Sequence, residues 1–418
     1  MNNLVLKQLK KTRFGKYVRS CKNKKERINL CTKLSKELEV NDKQVIFSTF
    51  QGRAYSCSPK AIYEYMINSS EFSDYQFIWA FNQPNDKAKY FKDDRTKIVK
   101  SNSEEFFYYL YSSKYWVFNF KTPEFYIKTD KNVFLQCWHG TPLKKLGMDI
   151  EKDGNAGSSL QKVHSSYLED AKKYDYFISP SRYCTEKFIS SFGLNVLNKE
   201  DVIIEQGYPR NDFLFNYSEE DLLRIRRDLQ IPDAKKIILY APTFRDNLYT
   251  KGVGHTYELG INLLRLKEEL SDEYVLLLRL HYFVANQIDI SQFKGFAYNV
   301  SSYDDINELY VISDMLVTDY SSVFFDYTNL NKPVLFYMYD LEEYKNDIRD
   351  FYIDLEELPG PIYTAESKLI DAIKNISDIQ KEFTEKYKEF KKKFNYLEDG
   401  QATKRVVEEV MYNEKKDS

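Results

Sequence analysis

Apolar and aromatic residues fall in short, near-continuous runs, separated by stretches of helical period, over most of the chain. In the first half the runs predict strands at Gln44–Phe50, Tyr75–Phe81, Tyr115–Phe120, Asn132–Trp138, Tyr174–Ser179 and Asp201–Glu205. Helical patterns lie between several of them, at Pro59–Ser69, Ser103–Ser112 and Thr185–Phe192. The rhythm then restarts, with strands at Lys236–Tyr240, Tyr274–Leu280, Ala297–Val300, Met315–Thr318 and Pro333–Tyr337 and helices at Tyr257–Leu270, Ile306–Ile312, Ser322–Leu330 and Glu366–Ile376. Strands apolar on both faces that alternate with helices are those of buried parallel sheets with helical crossovers. Two such sheets in tandem predict an α/β chain with two Rossmann-like domains facing a central cleft. The polar segment Tyr217–Asp228, ahead of Ile231-Pro232-Asp233, sets the expected boundary. The domains are then 41–228 and 229–378, with a leader over 1–40 and a charged helical tail over 379–418.

Charge changes this picture at the start of the chain. The net charge of −2 conceals eleven Lys and Arg among residues 1–35 against Glu26 alone. Leu4, Leu6, Leu9, Tyr17 and Val18 interleave with them. A basic amphipathic segment of this kind docks on anionic lipid, gaining roughly 1 kcal/mol per cation near the surface. A solvated basic helix and a nucleic-acid arm are the competing readings, and the site below favours the lipid surface over nucleic acid. No run reaches the roughly 18 apolar residues of a membrane-spanning helix. The first residues lack the apolar core of a secretory signal, so cytoplasmic residence is expected. The five cysteines form no Cys-x-x-Cys pair and read as reduced thiols.

Candidate chemistry sits where the predicted strands end. Only four histidines occur, and two of them, His139 and His281, close apolar runs. A residue just past the carboxyl end of a strand points into the crevice where open α/β sheets bind ligands, and imidazole moves protons near neutral pH. In Trp138-His139-Gly140-Thr141-Pro142-Leu143, Gly140 permits a sharp turn and close ligand approach. Pro142 suits the first turn of a helix, whose N–H groups would face an anion; a structural turn is the alternative. In Gln206–Asp212, Arg210 suits phosphate oxygens, or a pairing with Asp212. In Ala241-Pro242-Thr243-Phe244-Arg245, Thr243 offers a hydroxyl and an N–H to an anion, and Arg245 a second cation. Arg279 and His281 alternate onto one face of their strand and need an anionic partner, carboxylate or phosphate. In Thr318–Asp326, Ser321 or Ser322 caps a helix or binds phosphate, and Asp326 could accept from a sugar hydroxyl. P-loop, dinucleotide and nucleophile-elbow motifs are absent from the sequence, as is the Asp-x-Asp metal anchor of many sugar-nucleotide enzymes.

Taken together, Trp138–Pro142, Gly207–Asp212, Ala241–Arg245, Arg279–His281 and Thr318–Ser322 resemble, in order, the motifs of the CDP-glycerol glycerophosphotransferases. These build the poly(glycerol phosphate) chains of Gram-positive wall teichoic acids and some capsules. The resemblance runs from about Val45 to about Pro361. It implies a GT-B-type fold, a CDP-alditol donor held mainly by the C-terminal domain, and peripheral attachment to the cytoplasmic face of the membrane. It implies that His139 and His281 serve transfer, and that the donor contacts are Gly140, Thr141, Pro142, Leu143, Arg210, Pro242, Thr243, Arg279, Leu280, Ser321, Ser322 and Asp326. The acceptor would be undecaprenyl-diphosphate-linked or polymeric, and with so many fixed donors neither metal nor cofactor is expected. His139 is the expected general base, with a pKa near neutrality. CDP-ribitol in place of CDP-glycerol, a nucleotide-sugar glycosyltransferase, and a non-catalytic membrane scaffold are the rival readings.

Overall fold

A computed structural model of the chain describes residues 13–151, 159–243, 249–250, 254–255, 259–280, 288–343 and 351–412, with side chains from Lys24 onward in the first helix. Two all-parallel sheets organise it. The first comprises β1 (Asn41–Ser48), β2 (Gln76–Phe81), β3 (Thr96–Lys100), β4 (Ser113–Phe118), β5 (Val133–Gln136), β6 (Tyr176–Ser179) and β7 (Ile203–Glu205), in the spatial order β3-β2-β1-β4-β5-β6-β7. The second comprises β8 (Lys236–Ala241), β11 (Tyr274–Leu278), β12 (Ala297–Asn299), β13 (Met315–Thr318), β14 (Val334–Tyr337) and β15 (Ile362–Tyr363), in the order β12-β11-β8-β13-β14-β15. Between β8 and β11 in sequence, β9 (Tyr249–Thr250) and β10 (Gly254–His255) make a small antiparallel pair. The central strands are buried on both faces, as a sheet sandwiched by helices requires.

The apolar runs of the sequence overshoot the strands at their carboxyl ends. The run Asn132–Trp138 yields a ladder only to Gln136, and the run Tyr115–Phe120 only to Phe118. The remaining residues stay buried because they pack into the cores of their own domain, Phe120 and Trp138 in one and Cys137 in another; Asn119 and Cys137 have no exposed surface. β3 and β15, at opposite sheet edges, carry no strong apolar run and are not apparent in the sequence.

Three segments depart from the expected domain boundaries. Tyr217–Asp228 is no linker: Glu219–Asp228 is an amphipathic helix opened by a capping box of Ser218 and Asp221. Leu214 and Ile225 join the second core with Ile237, Leu239 and Leu316. The tail divides between domains. Phe390 and Phe394 of helix Thr384–Phe394 pack into the second core. Val406, Val407, Val410 and Met411 of helix Ala402–Tyr412 return to the first, against Val45, Phe47 and Phe77. Burying each of those four side chains contributes roughly 1.5–3 kcal/mol, so this helix is part of the N-terminal domain. The first helix, Arg13–Glu37, also docks there, Cys31 within the core and Leu30 and Leu34 against it.

Candidate active site

The first sheet reverses its strand order between β1 and β4, and in open α/β sheets such a reversal opens a crevice beyond the carboxyl ends of the strands. The loops after β1, β4 and β5 line it. His139 is held there by its Nδ1, 2.7 Å from the backbone oxygen of Asn119. A carbonyl only accepts, so Nδ1 carries the hydrogen and the Nε2 lone pair is left for another partner. The ring lies 4.2 Å from the Trp138 ring and 5.8 Å from that of Phe50, centroid to centroid. Solvent reaches one face of His139, yet protein crowds the rest of the ring. That desolvation is the largest influence pushing its pKa down to about 4. The Arg210 and Arg53 cations act in the same sense, and the Asn119 carbonyl opposes them. Phe50 and Trp138, which flank this ring, and Gln51 and Cys57 in the loop after β1 adopt left-handed backbone angles, with φ of 48°, 46°, 59° and 64° respectively. Such conformations are costly for bulky L-residues and collect at functional sites.

Gly140 carries the loop across to the second domain. A Cβ placed on it would stand 3.1 Å from Ser322 Oγ, so any larger residue would crowd the serine where the two loops meet. Beyond it, Pro142 does not open a helix; the chain continues extended into the second domain. The Pro142 carbonyl accepts from Tyr183 Oη at 2.7 Å, and the Leu143 carbonyl from the Tyr352 N–H at 2.9 Å. Lys144 pairs with Phe351 in an antiparallel bridge. Thr141 is buried beside Cys184. The expected helix N-terminus at Gly140 and Thr141 is therefore corrected to a bridging strap, and the Leu143 side chain packs into the second core.

Arg210 and Asp326, expected to meet phosphate and sugar, meet each other. Arg210 Nε and Nη2 lie 3.0 and 2.9 Å from the two carboxylate oxygens of Asp326, a bidentate pair across the domains. Asn211 donates to the same carboxylate at 3.0 Å and to Glu398 at 3.1 Å. The guanidinium lies over the Tyr208 ring, 3.8 Å from its centroid. Both charges are almost fully enclosed and form a joint between the domains. Asp212, the alternative partner for Arg210, instead accepts from the N–H groups of Ala402 and Thr403 at the start of the last helix.

On the second sheet the reversal lies between β8 and β13. Pro242 and Thr243 leave β8 half-buried, and the Thr243 N–H donates to Asp319 Oδ1 at 2.7 Å. Ser321 and Ser322 follow β13, also half-buried, and the Ser322 hydroxyl makes no capping bond to its own helix. Arg279 donates through Nη1 to the carbonyls of Val300, Ser301 and Tyr303 at 2.8, 3.1 and 2.5 Å. Leu280 is buried in the core of this domain. Through these bonds Arg279 orders the 300–303 loop. That loop presents Asp304 to Lys87 at 2.5 Å and Asp305 to Lys60 at 2.7 Å, two further ties between the domains. His281 and Arg245 lie outside the described residues.

The structure thus brings together His139, Gly140, Ser321 and Ser322, with Pro242 and Thr243 on the same edge of the second sheet. Sequence reasoning missed Asn119, Asp319, Lys60, Lys87 and Glu398. For Asn119 a signal existed: it is the one amide inside the apolar run Tyr115–Phe120.

A family model described as CDP-Glycerol:Poly(glycerophosphate) glycerophosphotransferase matches residues 30–412. The teichoic acid poly(glycerol phosphate) polymerase of Bacillus subtilis strain 168 is 41% identical over 380 residues, 90% of this chain and 50% of that protein, so this chain spans about half its length. The teichoic acid glycerol-phosphate transferase of Staphylococcus aureus NCTC 8325 is 39% identical over 373 residues, 88% of this chain and 93% of that one. A solved structure of the wall teichoic acid polymerase TagF, a variant soaked with CDPG, superposes with a TM-score of 0.86 at 38% identity, covering 97% of this chain and 98% of that chain. The GT-B-type architecture expected from the sequence is the one observed.

Proposed function

This chain belongs to the CDP-glycerol:poly(glycerophosphate) glycerophosphotransferase family, and on that premise we propose that it transfers glycerol phosphate from CDP-glycerol to a hydroxyl of a membrane-linked teichoic acid or capsule precursor. The observation that carries the reading is His139: Nδ1 is bonded to a carbonyl, leaving Nε2 as the acceptor, on a loop that meets Ser322 of the other domain.

In this mechanism the acceptor oxygen attacks the β-phosphorus of CDP-glycerol and its proton passes to His139 Nε2. The new O–P bond forms as the bond from that phosphorus to the bridging oxygen breaks, and CMP leaves with the bridging oxygen. The His139 pKa, about 4 in the empty cleft, is below the neutral value expected from sequence. A bound diphosphate brings negative charge that raises it, so the base approaches its working range as the donor arrives. Ser321, Ser322 and Thr243 are proposed to hydrogen-bond the diphosphate and offset the charge that builds on the leaving side. His281 is proposed to act there as well.

The acceptor is proposed to be undecaprenyl-diphosphate-linked or polymeric, with the protein bound peripherally at the cytoplasmic face of the membrane. Among the described residues no helix is long and apolar enough to cross a membrane, and the basic helix Arg13–Glu37 offers attraction to anionic lipid. The decisive experiment incubates purified protein with a lipid-linked acceptor and either CDP-glycerol or CDP-ribitol, follows CMP and weighs the products. A glycerol-phosphate adduct is expected. A ribitol-phosphate adduct alone, or no CMP from either donor, overturns the reading.

A further inference from the structure

Asn119 leaves β4 at the first sheet's reversal point, between the strands whose exit loops build the site. It serves both loops at once. Its backbone oxygen receives the His139 Nδ1 hydrogen at 2.7 Å, and its side-chain Oδ1 receives the Phe50 N–H, also at 2.7 Å. Phe50 sits at a φ of 48° with its ring edge toward the imidazole, so the second bond holds one wall of the pocket that the first bond aims. The side chain is fully buried, and its Nδ2 has no hydrogen-bond partner among the described residues. An unpartnered buried amide is expensive to keep. An aspartate would supply the same acceptor for Phe50 without the orphaned donor, so the backbone turn by itself gives no reason for an amide here.

The reason lies in the neighbour. The charges that bear on the His139 ring are Arg53, from the loop after β1, and Arg210, from the segment after β7 and matched in turn by Asp326 of the second domain. Phe50 and Trp138 face the ring as neutral aromatics. A carboxylate at position 119 would add an anion beside this imidazole and favour the charged ring; a protonated ring cannot take a proton. We propose that Asn119 is a positioning residue for His139. It fixes the tautomer that leaves Nε2 as the acceptor, and it is an amide so that, once the bound diphosphate has raised the ring's pKa, no second anion beside it leaves the base protonated.

This inference rests on His139 being the base of the proposed transfer, and its first test needs no substrate. With four histidines in the chain, imidazole nitrogen NMR of labelled protein is assignable by comparison with His139→Gln. In the wild type the His139 ring is expected to carry its hydrogen on Nδ1 at neutral pH. In Asn119→Asp the midpoint of its titration is expected to rise by about one pH unit or more, with the acid limb of CMP release moving by the same amount. Asn119→Ala keeps the carbonyl and so the tautomer, but frees Phe50; its kcat is expected to fall about tenfold with little change in KM. A hydrogen on Nε2 in the wild type, an unmoved midpoint in Asn119→Asp, or an unchanged kcat in Asn119→Ala overturns the proposal. A wild type that shows the Nδ1 tautomer and releases no CMP sinks the transfer reading and leaves the placement of His139 standing.

Discussion

The two reversal points of this molecule close their crevices with the same bond and opposite charge. In the first sheet the residue after β4, Asn119, accepts a backbone N–H from the loop after β1. In the second, the residue after β13, Asp319, accepts one from the loop after β8. Both sit between the innermost strands of a parallel sheet and both are buried. Since either side chain can perform the backbone task, the difference must answer to what lies beside it. The neutral clamp adjoins an imidazole that works only while unprotonated. The anionic clamp adjoins hydroxyls, which have no charge state to protect near neutral pH. A division of labour follows: the first lobe contributes one reactive atom with its protonation guarded, and the second contributes hydrogen-bond donors.

The largest effect that division allows is at His139. His139→Gln removes the acceptor nitrogen while the partly exposed side chain leaves the core untouched. The kcat for CMP release is expected to fall by about 10²–10⁴, the usual size of general-base catalysis, with thermal stability preserved. Retention of near wild-type turnover would move the base to the second lobe and break the comparison.

Next comes the joint that holds the lobes in register. Arg210→Ala leaves Asp326 as an uncompensated buried carboxylate, kept only by Asn211. Removing one partner of a buried pair costs about 3–5 kcal/mol, readable as a lowered denaturant midpoint. The double variant Arg210→Met, Asp326→Leu is expected to recover much of that loss, since replacing both partners with apolar groups removes the stranded charge. If the single variant is as stable as the wild type, the lobes are held elsewhere, by the Lys60–Asp305 and Lys87–Asp304 ties.

The fold was legible in the sequence where burial on both faces imposes a continuous apolar run, as at Met315–Thr318, and where a helical period leads into such a run, as at Ile306–Ile312; the observed ends of both match those expected. It was illegible where a segment's partner lies far along the chain. Nothing local shows that Ala402–Tyr412 returns to the first domain, or that Glu219–Asp228 packs under the second. The site divided similarly. His139, Gly140, Ser321 and Ser322 stand at strand exits, and topology alone brings them to one cleft. Arg210 and Asp326 satisfy the same rule of position, but 116 residues separate them, and a sequence cannot tell a cation awaiting phosphate from one already matched. Arg279 shows a related limit: backbone carbonyls engage one of its nitrogens, and such partners leave no mark in the sequence.

Glu398 probes the same joint through pH. It comes from the segment that crosses back to the first domain and accepts from the Tyr208 N–H at 3.2 Å and from Asn211 at 3.1 Å. Burial first, and then the Asp326 charge, push its pKa up to about 8, against roughly 4.3 for an unperturbed glutamate. Between those values the native state holds a proton that the unfolded chain has released, so stability falls as pH rises through the window and levels off above about 8. The wild type is expected to lose up to a few kcal/mol between about pH 5 and 8 at this site. Glu398→Gln keeps an acceptor in place and should lose correspondingly less. Asp170 and Asp212, whose pKa values are also raised by burial, contribute alike in both proteins, so the difference in slope isolates Glu398. Equal slopes would show that this carboxyl is already ionised in the folded state.

The smallest effect is the sharpest on the comparison itself. Asp319→Asn retains Oδ1 as the acceptor of the Thr243 N–H and removes the charge. A bond to a neutral acceptor is weaker than one to a carboxylate, so about 1 kcal/mol of stability should be lost. Turnover should fall less than about threefold, and the acid limb of the pH profile should stay where it is, because the nearby hydroxyls do not titrate there. The mirror substitution, Asn119→Asp, changes the same atoms in the opposite sense and moves that limb upward. Two exchanges of amide and carboxylate in matching positions then give unlike results, one in stability and one in protonation. Should Asp319→Asn shift the acid limb as far as Asn119→Asp does, charge at the two reversal points would act through the field of the whole cleft, and the guarded imidazole would not be the reason for an amide at position 119.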